Sequence, residues 1–328
     1  MEKIRWGIIS TGGIAHSFAQ GLRHLPDAEI VAVGSRSQAS ADEFADQYDI
    51  PNRYDTYEAL VADERVDVVY IGTPHAFHAD NMRLALGAGK HVLCEKAFTI
   101  NAAEAAECIQ LARERGLFLM EAMWTRYIPA IVRLREWIDD GLIGEPRMVQ
   151  AGLNVNLPYD PQHRVYNPEL GGGAMLDVGI YPIAFACMIL GLPQTVSHQV
   201  QMGETGVDEH AAFLFGYDDG RAALLSFNVR QLLPNEVIIK GTQGYIRVHP
   251  PMHHPTRLTL YQTTGDKLED FDIPYQSTGL NYEAAEVHRC LRAGLTESDV
   301  MPLDETLAIM RLMDAARADW GLVYPNDK

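Results

Sequence analysis

The run Ile4-Arg5-Trp6-Gly7-Ile8-Ile9-Ser10-Thr11-Gly12-Gly13-Ile14-Ala15 decides the fold. A short apolar strand ends in small polar residues. A helical pattern starts at once, with Ile14, Phe18, Leu22 and Leu25 on one face. The turn between them matches the dinucleotide fingerprint G-x-G-x-x-G/A, with Ser10 in place of the first glycine. Gly12 would let the backbone approach a pyrophosphate, and Ala15 would let the helix pack closely on the strand. Free N–H groups and the dipole at the start of the helix suit an anion. An ordinary tight turn can use the same residue types, but this one sits inside a strand–helix–strand unit. Ser10, Thr11, Gly12, Gly13, Ile14 and Ala15 are therefore candidate cofactor-binding residues.

Outward from this turn, strands and helices alternate. Ile30–Val33, Val66–Ile71, His91–Cys94 and Leu117–Met120 read as strands. Ala39–Tyr48, Tyr57–Val61, Phe77–Ala88 and Ala102–Arg115 read as helices between them. Such alternation predicts a doubly wound parallel sheet covered on both faces. The pattern changes near residue 123. A helix at Ile128–Ile138, a strand at Arg147–Asn156 and a helix at Met175–Leu190 are followed by strand-like runs from Val196 to Ile273. Turns such as Asp218-Asp219-Gly220 and Gly241-Thr242-Gln243-Gly244 separate those runs. Helices at Tyr282–Ala293 and Leu303–Gly321 follow. The expectation is α/β plus α+β: a Rossmann domain over residues 1–122, and an open, mostly antiparallel sheet domain with helices over residues 123–328.

Composition agrees with two globular domains. The chain has 328 residues, against about 150 residues per domain. Apolar residues make up 47% and charged residues 22%, which argues against disorder. Lys and Arg number 27 against 44 Asp and Glu, a net charge of −17, so nucleic acid and anionic lipid are poor partners. The apolar stretch Tyr181–Leu192 is too short for a bilayer and contains Pro182 and Gly191. Cys94, Cys108, Cys187 and Cys290 form no CxxC pair and sit in apolar or helical contexts. A cytoplasmic protein with no leader segment is expected.

The end of the second strand selects the cofactor. An acidic residue there would read the ribose 2′-hydroxyl of NAD. The sequence instead has Ser35-Arg36-Ser37, which suits a 2′-phosphate, although an Arg at a helix start is also compatible with simple solvation. NADP(H) is the expected cofactor. Polar motifs then follow the later strands: Thr73-Pro74-His75-Ala76-Phe77-His78, Glu95-Lys96-Ala97 and Trp124-Thr125-Arg126. Packing does not need a Lys just past a buried strand. Its ammonium can bind a ribose or substrate hydroxyl and lower the pKa of a neighbouring acid, or simply pair with Glu95. His75 and His78 suit contact with cofactor or substrate; no third ligand has matching spacing, so no metal is expected. The His249–Pro255 run, rich in His and Pro, reads as a rigid turn or pocket rim. Gly171-Gly172-Gly173 leads into a helix on which Asp177 and Tyr181 share a face. These two residues read equally as an acid/base pair and as a dipole-favoured Asp beside a packed Tyr.

Taken together, these segments resemble the Gfo/Idh/MocA oxidoreductase family, in its dimeric dihydrodiol dehydrogenase and NADP-dependent D-xylose dehydrogenase branch. Arg5–Ser10, Leu93–Lys96, Gly116–Arg126, Gly171–Tyr181 and Glu204–Asp208 carry the resemblance. It implies a Rossmann domain followed by an open sheet that serves as a homodimer interface. It also implies Lys96 and Tyr181 in proton transfer, Asp177 orienting the substrate or the catalytic group, and Arg36 on the 2′-phosphate. Thr73, Pro74, His78, Glu95, Trp124 and Arg126 would line the nicotinamide site, and Arg147 would contact substrate. The family's usual proline after the Lys is replaced by Ala97, which removes a backbone restraint on Lys96.

The implied reaction is reversible oxidation of a secondary or hemiacetal hydroxyl, with hydride passing to NADP⁺ and the hydroxyl proton to Tyr181. A D-xylose-like sugar or a cyclic trans-diol is the expected substrate. A keto-sugar reductase of the 1,5-anhydrofructose type and a non-catalytic NADP-sensing regulator are the competing readings.

Overall fold

The computed structural model describes residues 2–328, which divide into two compact units. The first takes the residues up to Trp124 together with Gln276–Met310; the second takes Thr125–Tyr275 and Arg311–Lys328.

In the first unit the strands are β1 (Ile4–Ile9), β2 (Ala28–Gly34), β3 (Asn52–Tyr54), β4 (Val68–Ile71), β5 (His91–Glu95) and β6 (Leu119–Ala122). They lie in the order β3-β2-β1-β4-β5-β6, and every pairing is parallel. The order reverses between β1 and β4, so Ile9 and Ile71 end at the crevice where such sheets bind ligands. Helices α1 (Gly13–Leu22), α2 (Gln38–Tyr48), α3 (Tyr57–Val61), α4 (His78–Gly87) and α5 (Ala102–Arg115) connect the strands. Their ends follow local chemistry. Asn101 Oδ1 accepts the Glu104 N–H at 2.9 Å to start α5, and Gly116 at φ +63° stops it. The three-residue β3 is an addition to the elements expected from sequence. Asn52-Arg53-Tyr54 has no apolar alternation and pairs only at the sheet edge.

The core of this unit is aromatic under β1. Phe18 stacks on Tyr70 at 3.7 Å between centroids, and Trp6 meets Phe18 edge-on at 5.3 Å. Trp6 Nε1 donates to His288 Nε2 at 3.0 Å.

The second unit begins with α6 (Pro129–Asp139) and β7 (Pro146–Asn154). A π-helical turn, Met175–Gly179, leads into α7 (Ile180–Leu190). The remaining strands are β8 (Thr195–Met202), β9 (Asp208–Gly216), β10 (Ala222–Asn228), β11 (Val237–Gly241), β12 (Gly244–Val248), β13 (Arg257–Gln262) and β14 (Lys267–Asp272). The sheet runs β14-β13-β12-β11-β7-β10-β9-β8; β7 and β10 pair in parallel and the rest antiparallel. One face is covered by α7. The other leaves Leu214 and Leu224 exposed, and these are cross-strand partners in the β9–β10 register. The last helices of the chain are α8 (Asn281–Arg292) and α9 (Leu303–Trp320).

One expectation is corrected here. Among the described residues, Pro168–Leu190 is a helical stretch long and apolar enough, by length and composition, to cross a membrane. It outruns the apolar segment read from sequence because it counts the short turn Pro168–Leu170 and the π-turn with α7, although Gly171 and Gly173 between them adopt positive φ. Its apolar window is 89% buried inside the protein, as a core helix is.

Candidate functional site

The first unit offers a cavity of about 700 Å³ at the carboxyl ends of β1, β2 and β4. It is lined by Ser10, Thr11, Gly12, Ser35, Arg36, Thr73 and Pro74 of the expected residues. Ser10 adopts φ +109°, a conformation that favours glycine and explains why the fingerprint places one there. Its Oγ accepts the Gly12 N–H at 3.1 Å. Gly12 has no side chain to cap α1, and the first turn, Gly13-Ile14-Ala15, holds no acid. A Cβ at Gly13 would meet nothing within 4 Å. The amino end of α1 is thus an open, uncapped anion cradle, and these residues fit a pyrophosphate. Thr11 and Ser35 hydroxyls lie 3.4 Å apart, and exposed Arg36 follows on the cavity wall.

Neighbours not singled out from sequence share this wall. Asn81 donates to Thr73 Oγ1 at 3.0 Å, while Tyr57, Asp55 and Glu58 line the Arg36 side. Asn81 lies one helical turn beyond His78, but nothing in its local sequence marks it.

His78 is fully buried, and its two ring nitrogens face the Thr73 and Ala97 carbonyls at 2.8 and 2.9 Å. Burial lowers its pKa, favouring the neutral ring. A neutral ring has a single N–H, so His78 donates to one of these two carbonyls; it lies buried between the loops that carry Thr73 and Lys96, rather than presenting an edge to a ligand. His75 packs edge-on to His78 at 5.6 Å.

Lys96 is half-buried, and its N–H donates to Glu95 Oε2 at 3.3 Å. The other Glu95 oxygen accepts from the Tyr70 hydroxyl at 2.7 Å. Burial, and then the Glu95 charge, push Tyr70 well above its ordinary pKa. Behind them lies Glu283 of α8, fully buried, with neither oxygen hydrogen-bonded among the described residues. Burial and the Glu95 charge raise its pKa strongly. Trp124 is half-buried at the end of this unit.

On the second unit, Asp177 and Tyr181 lie on the π-turn and the first turn of α7 and are nearly buried, at 6% and 7% exposure. Pro182 offers no N–H to the preceding turn, which explains the local widening to a π-turn. π-turns inside helices are frequent at functional positions. Arg164 grips Asp177 with two contacts of 2.7 and 3.3 Å. The His253 ring lies 5.3 Å from that of Tyr181. The Thr125 hydroxyl donates to the His253 carbonyl at 2.6 Å, which fixes the His/Pro-rich turn. Arg126 is buried and donates to the Ala184 carbonyl at 3.3 Å. Arg147 stands apart from Asp177: it is exposed, pairs with Glu145 at 2.6 Å and reaches the Asp219 carbonyl. Arg164 rather than Arg147 meets Asp177. Among the described residues, no group of three His, Cys, Asp or Glu is arranged to hold a metal.

A nucleotide cradle on a parallel sheet, followed by an open sheet with a buried Asp and Tyr on one helix, defines a two-domain nicotinamide oxidoreductase. The Gfo/Idh/MocA oxidoreductase model with its NAD-binding Rossmann fold matches residues 4–123, and the Gfo/Idh/MocA C-terminal domain matches residues 131–247. The chain belongs to the Gfo/Idh/MocA family of oxidoreductases. It is 39% identical over 332 residues to a trans-1,2-dihydrobenzene-1,2-diol dehydrogenase of Danio rerio, with 99% of both chains covered. The enzyme of that name from Homo sapiens is 38% identical over 337 residues, again with 99% coverage of both. Among solved structures, a 3-ketoreductase from Actinomadura kijaniata in complex with NADP and TDP-benzene matches with TM-score 0.85 and 27% identity, covering 97% of this chain and 98% of that one.

Proposed function

We propose that the protein is an NADP-dependent dehydrogenase acting on a secondary or hemiacetal hydroxyl of a D-xylose-like sugar or a cyclic trans-diol. The observation that carries the cofactor choice is Ser35-Arg36 on the cavity wall just past β2, where an NAD enzyme would place a carboxylate. Arg36 would hold the 2′-phosphate, and the uncapped start of α1 with Gly12 would hold the pyrophosphate. When bound, the nicotinamide supplies the hydride chemistry. Tyr181 takes the hydroxyl proton in oxidation and returns it in reduction, supported by Lys96. Asp177, locked by Arg164, orients the reacting hydroxyl or Tyr181. The diol half of the reading draws on the dihydrodiol dehydrogenases. The 3-ketoreductase favours a second reading, reduction of a keto-sugar with NADPH.

The reading includes a cytoplasmic homodimer. Its support is the uncovered sheet face bearing Leu214 and Leu224, beside a cavity of about 420 Å³ whose wall includes Leu233 and Ile238. Four buried cysteines free of disulfides suit a reducing compartment. The test is fluorescence titration with NADPH and NADH, followed by turnover of D-xylose, D-glucose and a trans-dihydrodiol with NADP⁺. Tighter NADPH binding with turnover of one class supports the reading. Equal or tighter NADH binding removes the cofactor assignment, and no turnover removes the substrate assignment.

A further inference from the structure

The Glu204–Asp208 segment has no part in the chemistry above, yet it ends in a fully buried carboxylate. Asp208 opens β9, and its Oδ2 accepts the backbone N–H of Met175 at 2.7 Å. Met175 is the first residue of the π-turn that carries Asp177 and continues to Tyr181. The fit is built from both sides. Gly173 adopts φ +120°, and a Cβ there would collide with Asp208 Oδ1. The Tyr324 hydroxyl closes the same corner and donates to the Gly172 carbonyl. Asp208 Oδ1 has no hydrogen-bond partner among the described residues.

We propose that Asp208 is a positioning residue: its carboxylate pins the amino end of the helix that presents Asp177 and Tyr181. The proposal rests on the catalytic reading of those two residues.

An anion at a helix start is favoured by the exposed N–H groups and the dipole. Here that anion is held at a disadvantage. Burial pushes the Asp208 carboxyl up to about 7, offset in part by the Met175 N–H and by the charge of Arg317. The Arg317 guanidinium on α9 is itself engaged by Asp314 at 2.7 Å and Asp327 at 2.8 Å. The Tyr324 phenol, raised well above its ordinary pKa by burial, stays neutral and adds no charge. An Asn in this position would keep an acceptor for Met175 without the desolvated charge. The acid is therefore unfavourable for stability above neutrality, and its gain is a charge-assisted bond to the helix start. Protonation weakens that bond, so an opening that frees the Met175 N–H while Asp208 stays buried is favoured as pH falls through about 7, whereas an opening that hydrates the carboxyl has the opposite sign.

Amide hydrogen exchange of the full-length protein over residues 173–181, at pH 5.5–8.5 and corrected for the intrinsic rate, tests this directly. The wild type should gain protection as pH rises through neutrality, the sign for a turn that releases Met175 while Asp208 stays buried; protection that falls with rising pH means that opening hydrates Asp208, and overturns the proposal. Asp208→Asn should give a flat profile at the low-pH wild-type level, with Tm above pH 7 equal to or higher than wild type. Its kcat with NADP⁺ should fall about tenfold, a loss within the range expected of a misplaced catalytic group, with the KM for NADP⁺ unchanged. A wild-type profile without a step overturns the proposal, and that measurement needs no variant. Parallel loss of kcat and Tm at every pH in Asp208→Asn also overturns it, leaving a structural role only. If no sugar or diol is turned over, the catalytic reading fails while the exchange profile still decides whether Asp208 holds the helix.

Discussion

Gly179 ends the π-turn, between Asp177 and Tyr181, and a methyl group there has nowhere to go. A Cβ at Gly179 would sit 2.9 Å from three ring atoms of Phe227. Phe227 is fully buried, and its ring lies 5.6 Å from that of Phe213, so it has little room to retreat. Replacing a helical Gly by Ala contributes about 1 kcal/mol of stability through backbone entropy. Overpacking a filled core costs about 1–3 kcal/mol. The clash opposes the entropic gain, and Gly179→Ala is expected to lose up to about 2 kcal/mol, at most roughly 8 °C in Tm for units of this size. Gly87 is the control. It ends α4, and a Cβ there meets nothing within 4 Å, so Gly87→Ala should hold or raise Tm. Because the clash displaces the helix that carries Tyr181, Gly179→Ala should also lower kcat while leaving NADPH affinity intact. Thermal melts of both variants, with NADPH titration and turnover, read all three quantities. A Gly179→Ala protein that melts at or above wild type with full kcat would refute the reasoning, because the Phe227 ring would then be free to move.

Three further outcomes are expected. Arg36→Ala should weaken NADPH binding by about 10–100-fold, the loss of a hydrogen bond to a charged group, and leave NADH binding unchanged; fluorescence titration of both cofactors decides it. Tyr181→Phe should lower kcat by about 10²–10⁴-fold with NADPH affinity retained, as for the loss of a general acid/base; retained kcat would remove Tyr181 from proton transfer. Glu283→Gln tests the buried carboxyl behind Glu95. The folded protein keeps a proton on Glu283 that the unfolded chain releases above its ordinary range, so wild-type stability falls as pH rises through that interval, by at most about 1.4 kcal/mol per pH unit. Urea melts from pH 5 to 8 should show the stability of Glu283→Gln rising relative to wild type, whereas a constant difference would mean that Glu283 is ionised throughout.

The cofactor half of the molecule was legible because its signals are local. Ser10, Thr11 and Gly12 line the cavity as consecutive residues, and Ser35-Arg36 lie one after the other at a strand end. Arg164 and Asp208 were not legible as partners of the Asp177 helix. Each reaches it from a separate segment, through a contact that leaves no periodic trace. His78 was misleading for a related reason. Its position past β4 suggested ligand contact, but its neighbours, the Thr73 and Ala97 carbonyls, come from two different loops. The helix at Tyr282–Ala293 was readable as a helix with one apolar face, but that face is the same whichever sheet it covers.

That last helix has a consequence for synthesis. The first unit is completed only by Gln276–Met310: His288 receives the Trp6 N–H, and Thr306 donates to Glu121 at 2.9 Å. The intervening stretch, Thr125–Tyr275, takes on the order of ten seconds to translate at roughly 5–20 residues per second. Throughout that time the nascent sheet must wait on the ribosome with its Trp6 and Glu121 side chains unpartnered by the late segment. The order of emergence therefore runs opposite to the order of need, and the earliest part of the chain to be made is among the last to be finished.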